Sequence, residues 1–271
     1  DGEPLPNVTI TIKDHPEYGQ TVTTCDGTFN MAINGGATLT INYQKEGYLP
    51  LQRQVKSAWQ EYAVLDFVTM IALDPIVTTI DLNANVPMQV AQGSEVTDAD
   101  GTRQATVLFP QGITATMQLS DGTTQPLTQL DVRATEYTVG DNGPEAMPAP
   151  LPPQSAYTYA VELSVDQAIA ASATRVDFSQ PIPLYVDNFL GFPVGGIVPV
   201  GWYDRIQAAW VPSDNGRVVE IIRIDNGFAI LDVDGSGQAA SAQALANLGI
   251  TRDERQQLAT LHAPGKSLWR S

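Results

Sequence analysis

Val8-Thr9-Ile10-Thr11-Ile12 sets an apolar side chain at every second position, and that period of two decides the fold. Only an extended chain, whose side chains alternate between two faces, turns this spacing into one continuous apolar face. The same period returns at Phe29, Met31 and Ile33, and at Leu39, Ile41 and Tyr43. Asp26-Gly27, Asn34-Gly35-Gly36 and Glu46-Gly47 separate these runs, and such pairs reverse a chain because Gly and Asn tolerate turn geometry cheaply. Val68 to Leu73 reads as a closing strand before Asp74-Pro75. Residues 1–75 are therefore expected to form a small seven-strand-type sandwich.

The alternation continues at Ala105, Val107 and Phe109, then at Ile113, Ala115, Met117 and Leu119, and at Leu130, Val132 and Ala134. Val161, Leu163 and Val165 follow, then Ile182, Leu184 and Val186, and the run Val218 to Ile222. Asp100-Gly101, Asp121-Gly122 and Asn215-Gly216 supply hairpin turns. Gly143 to Pro153 is too rich in proline for a central strand, since proline has no N–H to give, and it reads as a stiff surface loop. Residues 76–225 form the expected second β-domain. In 226–271 the pattern changes: Ser241 to Leu248 is Ala/Leu-rich and helical, with Gly249 as its stop. Thr251-Arg252-Asp253-Glu254 is a capping box opening a second helix that runs to about His262. The expected fold class is mainly β: two β-sandwich-type domains in tandem with a short C-terminal helical tail.

Of the 271 residues, 43% are hydrophobic and 16% charged, which allows a real core and argues against disorder. The net charge of −16 disfavours phosphate backbones and anionic lipid, so neither nucleic acid nor a membrane surface is an expected partner. No run approaches the ~20 apolar residues that cross a bilayer. Cys25 stands alone and reads as a small buried apolar residue. Asp1-Gly2-Glu3-Pro4-Leu5-Pro6 reads as direct entry into a strand, as expected of a piece of a longer chain.

Two stretches resemble known families. Asp1 to Ile10, with Cys25-Asp26-Gly27-Thr28-Phe29 and Glu46-Gly47-Tyr48-Leu49-Pro50, resembles the carboxypeptidase regulatory-like, or transthyretin-like, sandwich. Val132 to Gly140, Asn188 to Gly196, Val200 to Arg205 and Trp210 to Gly216 resemble the section before the repeats of bacterial Rhs/YD-repeat proteins, relatives of teneurins. The resemblance implies a non-catalytic, extracytoplasmic module, secreted or at the cell surface. Its plug-like β-domain would cap a downstream YD-repeat shell of the same polypeptide, using apolar surface around Phe189 to Trp210. An adhesion module with a glycan or cell-surface partner is the competing expectation, with Trp202, Tyr203 and Trp210 lining a groove.

Asp232-Val233-Asp234-Gly235-Ser236-Gly237-Gln238 is the candidate site. Asp232, Asp234 and Ser236 at positions one, three and five, with the Gln238 carbonyl at seven and Gly237 at six, match the first half of a calcium loop. Position twelve is Gln243 and position nine Ala240, so a plain Asp-Gly turn capping the next helix competes with calcium. Asp225 lies upstream as a possible helper. Asp98 to Thr102 reads as a hairpin turn. His15 and His262 have no nucleophile in an acyl-transfer pattern beside them, and both read as structural. Asp177-Phe178-Ser179 echoes a self-cleaving turn but reads as a strand end. Paired carboxylates for glycoside hydrolysis are not singled out.

Overall fold

The structure is a computed structural model that describes residues 2–140, 143–151 and 158–271. Asp1, and the Pro152 and Pro153 end of the proline-rich stretch, lie outside the described residues. The fold is mainly β, built of antiparallel sheets with few helices. Two compact units divide the chain. The first comprises Asp1–Leu73, Glu136–Glu162 and Trp202–Val211, and the second Asp74–Thr135, Leu163–Gly201 and Pro212–Ser271. Neither is one continuous stretch.

The first unit is built on a four-stranded sheet in the order Gln20–Val22, Thr9–Ile12, Thr38–Gln44, Leu51–Lys56. Ile10 faces Tyr43 and Ile12 faces Ile41 across the central ladder, so the alternating apolar residues meet on one face. Val8, Ile10, Leu39, Ile41, Tyr43, Leu49 and Leu51 are buried there. Two sequence expectations change. Phe29, Met31 and Ile33 carry no ladder, and Val68 to Leu73 makes only the bridge of Ala72 with Tyr48. Both stretches still lay apolar side chains against the core. Period two reports that one side of an extended chain is buried, whereas a ladder also needs a neighbour in register.

The proline-rich stretch is not a surface loop throughout. Ala146 to Ala149 are buried, and Met147 belongs to the first unit's core. The Pro148 carbonyl accepts the Gln52 N–H at 2.8 Å, so the stretch covers part of the Leu51–Lys56 edge strand. Cys25 is exposed rather than buried. It sits beside a turn where the Asp26 carboxylate accepts from the hydroxyls of Thr24 and Thr28 and from the Thr28 N–H. Those bonds, the Thr24 one first, bring the Asp26 carboxyl down to about 2.

The second unit's main sheet runs in the order Ile197–Val198, Gly216–Asp225, Ser267–Arg270, Leu184–Asp187, Ala105–Pro110, Met88–Gln92, with Phe228–Asp232 also paired to Gly216–Asp225. The stretch read as a helical tail holds the expected helices, Ala242–Asn247 and Arg252–Leu261, each with its cap. It also ends in a strand, Ser267–Arg270, that lies mid-sheet between Gly216–Asp225 and Leu184–Asp187. Leu258 and Leu245 from the helices are buried with Val219, Ile221, Leu231 and Leu268 from the sheet. A second core gathers Ile80, Val107, Phe109, Met117, Leu130 and Val132. Pro126 falls in Thr124–Leu127, an outer strand of a three-stranded sheet, where its missing N–H breaks no central ladder.

Candidate functional site

Asp232 ends the Phe228–Asp232 strand and is buried, so its carboxylate needs partners. It finds them in its own loop. One oxygen accepts the N–H groups of Asp234 at 3.0 Å and Gly235 at 2.9 Å, and the other accepts that of Gly237 at 2.7 Å. Asp234 accepts the Ser236 N–H at 3.0 Å, and Ser236 Oγ lies 3.4 Å from the Gln238 nitrogen. Hydrogen bonds from Ser236 are the main reason the Asp234 carboxyl sits below its ordinary range. The backbone at Gly235 is fixed by a close approach: a Cβ there would come within 2.6 Å of the Val194 carbonyl oxygen. Gly195 meets Asp234 equally closely from the other side.

The four residues singled out by sequence thus share one tight loop. Gln243 instead donates to Asn247 at 2.7 Å, and Asp225 pairs with Arg223 at 2.7 Å. Among the described residues, no three of His, Cys, Asp or Glu converge as a metal site. Calcium takes six to eight oxygens. The Asp232 and Asp234 carboxylates, Ser236 and a carbonyl offer four to six of these, and both carboxylates already accept amide hydrogens of the loop.

The other candidates resolve similarly. Asp98 pairs with buried Arg103 at 2.6 Å across the Val96–Asp98 and Gly101–Arg103 hairpin. Ser179 exchanges two bonds with Thr114, both at 3.0 Å, while Asp177 meets Arg175 at 3.0 Å, so this stretch is held as a strand end. His15 bonds Glu17 at 2.8 Å. His262 is partly buried, with no hydrogen-bond partner at Nε2 among the described residues. Burial lowers its pKa, against the opposing pull of Asp187.

Sequence reasoning missed a polar cluster in the first unit. The Gly201–Asp204 and Ala209–Pro212 strands form a hairpin. At its turn, buried Asp204 accepts the N–H groups of Ile206 at 2.8 Å and Gln207 at 3.0 Å. The turn presents Arg205, whose guanidinium reaches both oxygens of Glu162, at 3.1 and 2.9 Å, and the Tyr137 hydroxyl at 3.1 Å. Tyr137 also donates to Glu162 at 3.1 Å. Burial works to lower the Arg205 pKa, but Glu162 and Tyr137 outweigh it, so the side chain stays charged. Burial, then Glu162, pushes the Tyr137 hydroxyl well above its ordinary value.

The same hairpin is fastened at three more points. Tyr203 donates to Gln52 at 2.7 Å, Gln52 donates to the Arg205 carbonyl at 3.2 Å, and Trp210 Nε1 donates to the Pro150 carbonyl at 3.0 Å. A signal was available: with only 14 basic residues in the chain, an Arg set between aromatics after a turn-forming Asp invites a search for its acid. Chemically, the cluster ties segments together. Its carboxylate and guanidinium are engaged with each other and with the Tyr137 hydroxyl.

Of the apolar surface expected around Phe189 to Trp210, Ile197, Trp202, Ile206 and part of Phe192 are exposed. Phe189 and Phe192 lie with ring centroids 5.0 and 5.3 Å from Trp269, and Tyr203 lies 5.3 Å from Trp210. Two clefts in the first unit, of about 120 and 220 Å³, are smaller than the ~300–1,000 Å³ typical of small-molecule sites.

Comparison with known proteins places a family on the N-terminal quarter. Residues 1–70 match the model of the teneurin TTR-like domain. Teneurin-3 of Danio rerio is 32% identical over 83 residues, covering 31% of this chain and 3% of that protein. Teneurin-3 of Mus musculus is 33% identical over 86 residues, 32% of this chain and 3% of that protein. Teneurin-1 of Gallus gallus is 25% identical over 103 residues, 38% of this chain and 4% of that protein. The matched stretch thus spans a small fraction of each relative's length, and residues 1–70 of this chain form a teneurin-like TTR domain.

Proposed function

We propose that this chain is a non-catalytic structural module of a large secreted or surface protein of the Rhs/YD-repeat type. In that reading it precedes a YD-repeat shell, of the kind that encapsulates a toxin, and its second unit caps or plugs the shell. The observation that carries the reading is the teneurin-like TTR domain over residues 1–70, joined to a second β-unit in the same chain. The engaged state of the Glu162–Arg205 pair and the small clefts favour a mechanical over a catalytic role. Among the described residues, no helix is long and apolar enough to cross a membrane.

The test is association with a shell. Produced separately and mixed with a purified YD-repeat shell, the chain is expected to co-sediment with it in analytical ultracentrifugation. Two independently sedimenting species would overturn the capping role. Exposed Trp202 is the one feature that favours a glycan-binding alternative. A glycan array reading signal that disappears in Trp202→Ala would move the assignment there.

A further inference from the structure

Asn7-Val8-Thr9 places a threonine two positions after an asparagine, and no other asparagine in the chain has Ser or Thr at that place. The tripeptide is the acceptor pattern for N-linked oligosaccharide in chains that enter a secretory pathway. A pattern this short arises easily by chance, so its placement in the first unit decides whether it can be used.

Asn7 is exposed, in a bend with a φ of 58°, a left-handed conformation that asparagine tolerates better than most residues. Its backbone is fastened. The Asn7 N–H donates to the Thr23 carbonyl at 3.0 Å and the Val8 N–H to Thr23 Oγ1 at 2.9 Å, while that hydroxyl donates to the Leu5 carbonyl at 2.7 Å. The two side chains of the pattern are not. Among the described residues, neither the Asn7 amide nor the Thr9 hydroxyl has a hydrogen-bond partner, so using them breaks no bond of the fold.

Alternation along Thr9–Ile12 sorts the surroundings. Val8, Ile10 and Ile12 are buried in the core, so Thr9 and Thr11 face the other way. Thr9 lies opposite Val22 and Gln44, and Thr11 opposite Asn42, and side chains opposite each other share a face. None of these five belongs to a core cluster, and Val22, their one large apolar member, is 47% exposed. A bulky, water-loving group on Asn7 therefore meets a polar face and displaces no packing.

We propose that Asn7 is an N-glycosylation site. Its Nδ2 attacks the anomeric carbon of an oligosaccharide carried on a membrane lipid pyrophosphate. The nitrogen–carbon bond forms as the carbon–oxygen bond to pyrophosphate breaks; the lipid pyrophosphate leaves, and one Nδ2 proton passes to a base of the transferase. Transfer takes place on the chain before Val8 is buried, and the fold keeps the product because Asn7 faces water. The proposal rests on the extracytoplasmic part of the functional reading and is independent of shell capping.

The whole chain, secreted from a eukaryotic host behind a cleavable leader and a tag, tests it. The leader supplies the compartment, so a failure would fault Asn7 and leave the natural location untouched. The secreted chain is expected to run as a heavier band that peptide-N-glycanase collapses, leaving aspartate at position 7 in peptide mass spectrometry. Thr9→Val keeps a branched strand residue and should abolish the sugar, whereas Thr9→Ser should retain it at lower occupancy. Asp121→Asn adds a second acceptor on the exposed Asp121-Gly122-Thr123 turn. Sugar at both positions supports the site, and sugar at 121 with none at Asn7 overturns it. So would a secreted chain without sugar, undiminished sugar in Thr9→Val, or a glycosylated chain whose circular dichroism differs from that of the deglycosylated one.

Discussion

Removing the guanidinium of Arg270 tests how the second unit's helix is attached to its sheet. Glu254 is fully buried at the start of the Arg252–Leu261 helix. Its carboxylate accepts from the Tyr185 hydroxyl, from Arg270 Nε at 2.7 Å and from the Thr251 N–H at 3.2 Å. One side chain therefore completes the capping box and joins helix, central strand and last strand. Arg270→Met keeps most of the apolar stem and leaves a buried negative charge without its counter-ion. Breaking a buried pair from one side costs about 3–5 kcal/mol. That is a large share of the ~5–15 kcal/mol that stabilises a typical domain. Glu254→Gln keeps one oxygen to accept the Thr251 N–H, its NH2 can donate to the Tyr185 hydroxyl, and Arg270, being slightly exposed, can turn toward water. The double variant should thus be less destabilised than the sum of the singles, by about 2 kcal/mol. Urea unfolding followed by circular dichroism measures all three, with unchanged m-values as the check that only stability moved. A loss below about 1 kcal/mol for Arg270→Met, or strict additivity in the cycle, would refute the claim that paired charge holds the helix down.

Five further outcomes follow from the same geometry. Arg205→Met should cost only about 1–2 kcal/mol, because its pair with Glu162 is partly solvated, with side chains 32% and 24% exposed; urea unfolding of the first unit reads it. Asp232→Ala, which strands three N–H groups, should cost about 2–4 kcal/mol by the same measurement. Millimolar calcium or its chelation should move the melting temperature by less than about 1 °C, whereas an ion present at a hundredfold over its Kd would add about 2.7 kcal/mol. His262 has a folded pKa below its unfolded value, so the unfolded chain binds the extra proton first. Its stability contribution is complete above ~6.5 and is lost as pH falls from there toward the folded pKa. His262→Gln should flatten the stability-against-pH slope between pH ~7 and ~5. An excised 1–73 fragment should be markedly less stable than the same residues in the whole chain, since it lacks Tyr137 and Met147 of its core, each contributing about 1.5–3 kcal/mol when buried; melting compared with the full chain decides it.

Local chemistry was legible in the sequence wherever it sufficed to decide the structure. The strand at Ala105–Pro110 follows from period two with turn residues outside it, and Gly216–Asp225 from a short apolar run after a turn. The capping box at Thr251 is read from a hydroxyl placed before a helical pattern, and both of its bonds are made; the Ser241 cap came only with the structure. The Asp232 loop was legible as a loop, though not in what its carboxylate does. Oxygens at alternate positions suit a cation and suit amide hydrogens equally well, and spacing cannot separate the two. Ser267–Arg270 was hidden because four residues give too little period to distinguish a strand from a frayed end. Its place in mid-sheet comes from partners some fifty and eighty positions earlier, Val219 and Val186 among them.

The interleaving of the two units was illegible for a more general reason. A proline-rich loop and a Trp-rich hairpin each advertise that they cannot be central strands, but nothing in them says which core they join. In the first unit that choice is made by groups that neither segment contains. Gln52 offers an N–H to Pro148 and a side chain to Tyr203, and Arg53 donates to the carbonyls of Met147 and Glu145. Backbone carbonyls in a loop without regular structure must find donors once buried. An edge strand with Gln and Arg at successive positions supplies donors on its rim, and the Glu162–Arg205–Tyr137 cluster fixes the hairpin beside it. Apolar periodicity thus sets which strands form, while the placement of the few long polar side chains along one edge sets which distant segments complete the unit. On this account the scarcity of Lys and Arg, 14 against 30 acids, aids specificity, because each buried acid has few alternative cations.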